Sequence, residues 1–314
     1  MTSVKQAKRT LVLTILVCAS LSLFAQAIDG LKAPVTFFLA SDMGKNGYYK
    51  QKPVAELMGE MADKLGPECI VAAGDVFHYL GVQSVSDPLW CSNFENVFSH
   101  PELQVPWYPI CGNHEYSGNT QAVTLYSNIS RRWEMPAKYY TKVLTSKKTT
   151  VRLVFIDTPP LIDKYRTHSD KYPDACKEDM QAQLKWLEET LANAKEDWVI
   201  VVGHHPIYAD TNKDESERTD MQKRVDSILR RYKVDFYICG HIHNFQHIHL
   251  PDSKIDYIVN TSGALARKNV KEVKGTKFCA GQEGFSVISA WSDKLTLSMI
   301  DEHGNILYQV TRNK

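Results

Sequence analysis

Five short apolar runs in this chain end the same way, on a small residue followed at once by side chains able to hold a metal. Val35–Ala40 leads into Ser41-Asp42-Met43-Gly44, and Cys69–Ala73 into Gly74-Asp75-Val76-Phe77-His78-Tyr79. Trp107–Cys111 leads into Gly112-Asn113-His114-Glu115, Trp198–Val202 into Gly203-His204-His205-Pro206, and Val234–Cys239 into Gly240-His241-Ile242-His243. Near-continuous apolar runs suit strands buried on both faces. Parallel strands bring their C-terminal ends to one edge, where α/β proteins place ligands. Glycine lets the chain turn sharply there and brings the next side chain close to a centre. One Gly-Asp or Asn-His-Glu alone reads as a turn or a helix cap; five in order do not.

Helical patterns lie between the runs. Pro53 opens one, with Val54, Leu57, Met58, Met61 and Leu65 on one face. Glu178 and Asp179 open a second, continued by Leu184, Leu187, Glu188 and Leu191, and Val225, Ile228, Leu229 and Tyr232 mark a third. With Val151–Ile156 as a further strand, the alternation predicts an α/β architecture with right-handed crossovers. The C-terminal strands Tyr257–Val259, Phe285–Trp291, Leu295–Ile300 and Ile306–Thr311 follow without helices, the last two joined by a turn at His303-Gly304-Asn305. No Pro/Gly/Ser linker interrupts the chain, so residues 28–314 read as one domain of mixed sheets flanked by helices.

Residues 1–27 read as a secretory signal. Lys5, Lys8 and Arg9 precede the apolar run Leu11–Phe24, and Ala25-Gln26-Ala27 is a small-x-small cleavage site. The run is shorter than the roughly 20 residues a membrane span needs, so no stable membrane anchor is expected. Export through the secretory pathway follows, to a periplasmic, extracellular or lumenal place. Removing three basic residues from 37 leaves 34 against 36 acidic ones, a balance that argues against nucleic-acid binding by bulk charge. The remaining cysteines, Cys69, Cys91, Cys111, Cys176, Cys239 and Cys279, are even in number, which permits disulfides in an exported protein. Cys111 and Cys239, which end apolar runs, read as buried thiols. Asn128-Ile-Ser and Asn260-Thr-Ser fit the glycosylation acceptor pattern.

Imidazole, carboxylate and amide oxygen together suit borderline metals such as Fe, Zn or Mn. The donors are too many for one tetrahedral ion. Two ions roughly 3.5–4 Å apart that share a carboxylate fit better, and such a pair clamps a phosphoryl group and lowers the pKa of a water between them.

At these residues the sequence resembles the calcineurin-like metallophosphoesterases and, within them, the purple acid phosphatases of the small tartrate-resistant type. The resemblance spans about Val35 to Thr311 and includes Val105-Pro106-Trp107-Tyr108, Arg132-Trp133-Glu134-Met135-Pro136, Phe155-Ile156-Asp157-Thr158 and Cys239-Gly240-His241-Ile242-His243-Asn244. It implies the metallophosphoesterase fold, a four-layer α/β/β/α sandwich of two mixed β-sheets flanked by helices. It also implies one metal held by Asp42, Asp75, the third residue after Asp75 and His243, and another held by Asp75, Asn113, His204 and His241. His114 would hydrogen-bond the phosphate and stabilise or protonate the leaving alkoxide. Glu115 would orient His114 or Asn113. The implied activity is hydrolysis of small-molecule phosphate monoesters by hydroxide generated at the metals. Phosphodiester or nucleotide pyrophosphate hydrolysis on the same site is the alternative substrate class, and an exported metal- or phosphate-binding protein without turnover is the alternative of another kind.

Two departures from the family pattern matter. Purple enzymes carry Tyr at the third residue after the bridging Asp, where its phenolate binds ferric iron and gives the colour; this chain has His78. If His78 is the ligand, two divalent metals are expected and a ferric-tyrosinate centre is not; the alternative is Tyr79 reaching in through a bulge. Relatives of the small type also place a further active-site His about nine residues after His204. Asp210–Asp220 contains none, and Lys213 is nearest. His205 or Lys213 is then the candidate assistant, while the segment itself reads as an exposed charged loop.

Overall fold

The computed structural model describes residues 28–314, so the expected export signal lies outside the described residues. Two mixed sheets form the frame. The six-stranded sheet runs β13-β12-β11-β1-β2-β3, built from β1 (Val35–Ala40), β2 (Ile70–Ala72), β3 (Trp107–Pro109), β11 (Gly284–Ala290), β12 (Lys294–Asp301) and β13 (Ile306–Asn313). The seven-stranded sheet runs β10-β8-β9-β7-β6-β5-β4, from β4 (Tyr140–Ser146), β5 (Thr149–Phe155), β6 (Trp198–Val202), β7 (Phe236–Cys239), β8 (Phe245–His249), β9 (Asp256–Val259) and β10 (Thr276–Ala280). Strands β1, β2 and β3 are parallel, as are β5, β6, β7 and β9. Each sheet therefore delivers several C-terminal strand ends to one edge.

The predicted runs form strands because they are buried throughout: β1, β6, β7 and β9 expose no residue. Tyr140 on β4 stacks on Phe155, 4.5 Å between ring centroids, and its hydroxyl donates to Pro109 O at 2.7 Å, tying the seven-stranded sheet to the end of β3. Three strands had no sequence signal of that kind. Strand β4 alternates buried and exposed residues, β8 carries Gln246, His247 and His249, and β10 is a half-exposed edge. The hairpin at His303-Gly304-Asn305 is present, with Gly304 at φ 85°.

Helix α1 (Gln51–Leu65) starts two residues before Pro53 and buries Val54, Met58, Met61 and Leu65. Short helices α2 (Thr120–Leu125) and α3 (Asp163–Thr167) precede α4 (Met180–Ala192), which Asp179 caps by accepting from Ala182 N at 2.9 Å. Helix α5 (Glu215–Met221) corrects the expectation of an exposed loop over Asp210–Asp220. Asp214 caps it, and it continues through a π-helical turn, Gln222–Asp226, into α6 (Ser227–Leu229). Only one side of α5 is polar to solvent; Glu217 and Met221 are buried.

The disulfides that the cysteine count permits are absent among the described residues. All six cysteines are free thiols, with Cys69, Cys111 and Cys239 buried. Asn260 is fully buried and donates to Ser41 Oγ at 3.2 Å, so in the folded chain it is no glycosylation acceptor. No helix among the described residues is long and apolar enough to cross a membrane.

Candidate metal centre

The strand-end loops meet where the two sheets present their C-terminal edges. Asp42, Asp75 and Asn113 come from the six-stranded sheet, and His204, His241 and His243 from the seven-stranded one. Four of these residues carry a backbone that side chains rarely adopt: φ is 52° at Asp42, 52° at Asp75, 70° at His241 and 64° at His243. Each such residue costs about 1–3 kcal/mol, and it persists only when its surroundings over-determine it. Here they do. His241 N donates to Asp42 Oδ2 at 2.9 Å, and Ser262 Oγ donates to Asp42 O at 2.6 Å. A side chain at Gly112 would collide with Asp75 Oδ1 and His204 Nε2, and one at Gly240 with Asp42 Oδ2, so both glycines are required by close approach.

Asp42, Asp75, His78 and His243 point one donor atom each into a common space, all within 4.8 Å of one another. His243 Nε2 lies 3.1 Å from Asp42 Oδ1 and 3.5 Å from His78 Nε2. On the other side of Asp75, His204 Nε2 is 3.1 Å from Asp75 Oδ2, and the His204 and His241 rings are 5.1 Å apart. Asp75 is thus shared between the two groups.

Buried polar atoms ordinarily find a hydrogen-bond partner. Among the described residues eight buried side-chain atoms do not, and five of them are here: Asp42 Oδ1, His78 Nδ1, Asn113 Oδ1, His204 Nε2 and His241 Nδ1. His78 Nε2 faces His243 Nε2 across 3.5 Å, and the outward ring nitrogens of the other three histidines are committed. His204 Nδ1 donates to Ala73 O at 2.9 Å and His243 Nδ1 to Leu265 O at 3.0 Å, which leaves the Nε2 lone pairs facing inward. His241 Nε2 lies 2.9 Å from Glu217 Oε2, leaving Nδ1 free. The residues present fit a pair of metal ions.

The electrostatics agree at four of these residues. At the fifth, His204, burial is outweighed by the Asp75 carboxylate, which pushes the imidazole up to about 9, so an ion bound there would displace a proton. Burial pushes His78 down to about 3 and, with Lys213 and His204 nearby, drives His241 well below the usual imidazole range, so both keep a lone pair. Burial would raise the Asp42 carboxyl, but His243 outweighs it and holds Asp42 at about 2. Asp75 is held well below the usual carboxylate range by His204 and His114 against the same burial.

A family model described as calcineurin-like phosphoesterase matches residues 35–245. The chain belongs to that family. It is 29% identical to tartrate-resistant acid phosphatase type 5 of Oryctolagus cuniculus, covering 94% of this chain and 96% of that one. It is 30% identical to purple acid phosphatase 3 of Arabidopsis thaliana over 87% of this chain and 76% of the relative, which places it among the purple and tartrate-resistant acid phosphatases. In fold it is similar to a Plasmodium protein described as GAP50, the anchor in the inner membrane complex, with a TM-score of 0.74, 23% identity and coverage of 89% and 88%. The two mixed sheets with flanking helices are the metallophosphoesterase fold, and the dinuclear site is that of a metal-dependent phosphoesterase.

Within this phosphoesterase, the departure at His78 resolves in one direction. Phe77 inserts into the aromatic core, 4.6 Å from the Trp90 ring, and its N donates to Glu115 Oε1 at 3.0 Å. His78 therefore turns inward at 8% exposure, while Tyr79, at φ 68°, turns outward at 65%. Tyr79 supplies only its carbonyl, which accepts from His114 Nδ1 at 2.9 Å. His114 lies at the mouth, outside both donor groups, with its side chain 28% exposed and Nε2 4.0 Å from Asp75 Oδ2.

Glu115 does not orient the side chains of His114 or Asn113. It accepts from the backbone N–H groups of Asp75 (2.9 Å), Phe77 (3.0 Å) and Gly112 (2.6 Å), locking the second and third ligand loops together. His205 lies beside His204 and His241 but spends both ring nitrogens elsewhere, on Thr158 Oγ1 at 2.8 Å and Tyr165 OH at 2.9 Å. It does not assist at the mouth. Lys213 is partly buried within the field of Asp75, Glu217 and Asp42. Glu217 is the functional residue that sequence reasoning missed. Its signal was present: Met221, Val225 and Ile228 follow it at helical spacing, so the buried face of the third helical pattern extends back to it.

Proposed function

We propose that this protein is an exported phosphatase that hydrolyses phosphate monoesters of small molecules at a centre of two divalent metals. The carrying observation is the set of five buried, unpartnered donor atoms grouped on either side of Asp75. Asp42, Asp75, His78 and His243 hold one ion; Asp75, Asn113, His204 and His241 hold the other. The donor set suits Fe, Zn or Mn, and without a phenolate it favours divalent ions over ferric iron. When bound, the pair supplies Lewis acidity toward the phosphoryl oxygens and an activated water.

The chain's own residues do the rest. The fixed backbone of the ligand loops holds the donors in place, so no reorganisation accompanies reaction. His114, anchored through Nδ1 to Tyr79 O, presents Nε2 to the phosphoryl group and to the leaving oxygen, which it stabilises or protonates. Because both sheets contribute ligands, residues 28–314 act as one catalytic unit. Export rests on the signal read in residues 1–27.

The test is elemental analysis of the purified protein with rates on an aryl monoester and an aryl diester. Two bound metals and a faster monoester support the reading. A faster diester overturns the monoester assignment, and bound metals without hydrolysis of either make this a binding protein.

A further inference from the structure

Beside the metal centre lies a wall of exposed tyrosines that the chemistry so far does not use. Tyr48 is 71% exposed, Tyr49 62% and Tyr79 65%; no other Phe, Tyr or Trp among the described residues is exposed to this degree. With Lys45 and Asn46 they line a cavity of about 460 Å³, a size that suits a small organic group. Tyr79 directly follows His78 and holds His114 through its carbonyl, so the cavity adjoins the mouth where the leaving group departs.

The exposure is built in. Tyr49 and Tyr79 have φ of 54° and 68°, a conformation that is an outlier for a bulky residue and that clusters at active sites and ligand clamps. The loop under Tyr48 and Tyr49 is pinned at several points. Lys45 N and Gly47 N both donate to Gln51 Oε1, at 3.2 and 2.6 Å, Asn46 N donates to Asn93 Oδ1 at 2.7 Å, and Lys50 N donates to Ala264 O at 2.9 Å. Lys45 links wall and centre: its ammonium lies 4.7 Å over the Tyr79 ring and is attracted by the carboxylates of Asp75 and Asp42.

We propose that this cavity receives a planar aromatic leaving group of the phosphate ester, with Tyr48, Tyr49 and Tyr79 as its stacking faces. Aromatic faces accept any planar π-system, and a cation held over one of them keeps the anionic end of the substrate toward the metals. The inference rests on the monoester reading above and sets the substrate class within it.

The test compares kcat/KM for phenyl phosphate and glycerol 2-phosphate within each metal-loaded variant, because the ratio is independent of the folded fraction. Tyr48→Ala and Tyr49→Ala should each lower the phenyl-to-glycerol ratio by about 5- to 150-fold, the range that loss of one stacking face produces. Tyr49→Phe should retain it. Calorimetry with benzylphosphonate and methylphosphonate gives the second measure: wild type should bind the benzyl compound more tightly, and Tyr49→Ala should lose that preference. Ratios unmoved in both alanine variants, or equal phosphonate affinities in wild type, overturn the wall while leaving the phosphatase intact. Failure of wild type to hydrolyse either ester and to bind either phosphonate overturns both.

Discussion

Glu217 Oε2 lies 2.9 Å from His241 Nε2, with both side chains buried. A carboxylate on the far nitrogen fixes the ring and raises its basicity toward a metal on the near one. Glu217 is itself held by Lys164 Nζ at 2.7 Å and Tyr165 OH at 2.8 Å, so its position is not left to chance. Glu217→Ala should weaken metal binding about 10- to 100-fold, read by competition with a chelator of known affinity. Wild-type metal retention in that variant would show that Glu217 only fills space.

His78 faces inward at the position where the purple enzymes carry their ligand Tyr, and Tyr79 beside it turns outward. Iron-loaded wild-type protein should show no tyrosinate absorption band, and Tyr79→Phe should leave its visible spectrum unaltered. His78→Tyr should create such a band, because the inward direction belongs to the position and not to the residue. A band in wild type that Tyr79→Phe abolishes would reverse the assignment. His78→Ala should lower metal affinity by at least about 10-fold, since losing a ligand costs more than losing its supporting partner.

The candidate ligands were legible because each stands in the short loop that follows an apolar strand, and a strand of known direction places that loop in space. Asp42, Asp75, Asn113, His204, His241 and His243 lie two to four residues past the ends of β1, β2, β3, β6 and β7. His78 stands three residues further on, where periodicity does not say which of two neighbours points inward; the anchoring of Phe77 and the backbone at Tyr79 decide it. The role of Glu115 was misread for a related reason. Adjacency in sequence suggested His114, whereas its carboxylate satisfies three backbone donors from two loops. Strands β4 and β10 escaped because edge position and half-burial replace apolar continuity with mixed polarity, and β8, buried between β10 and β9, because Gln246, His247 and His249 break its apolar run.

His114 carries no metal-directed orphan atom and is partly exposed, as a group that meets substrate must be. His114→Ala should lower kcat by about 10²- to 10⁴-fold on an alkyl phosphate, the usual range for general acid–base assistance. The loss should be smaller on 4-nitrophenyl phosphate, whose leaving group departs with little help. Metal content should stay at the wild-type level. Equal losses on both esters would remove His114 from the leaving-group role.

Asp157, hydrogen-bonded to Tyr116 and Gln183, provides a pH dependence of its own. Its carboxyl is fully buried, accepts from Tyr116 OH through Oδ2 and leaves Oδ1 without a partner; burial pushes it up to about 7 from 3.8. Between those values the folded chain keeps a proton that the unfolded chain has released. Stability therefore falls as pH rises from about 4 to 7, by up to about 4 kcal/mol for the whole shift. Asp157→Asn cannot ionise and escapes that penalty. Denaturant unfolding at pH 4.5 and 7.5 should show the variant gaining on wild type at the higher pH. A difference between the two proteins that is the same at both pH values would mean that Asp157 ionises in the folded state as readily as in the unfolded one.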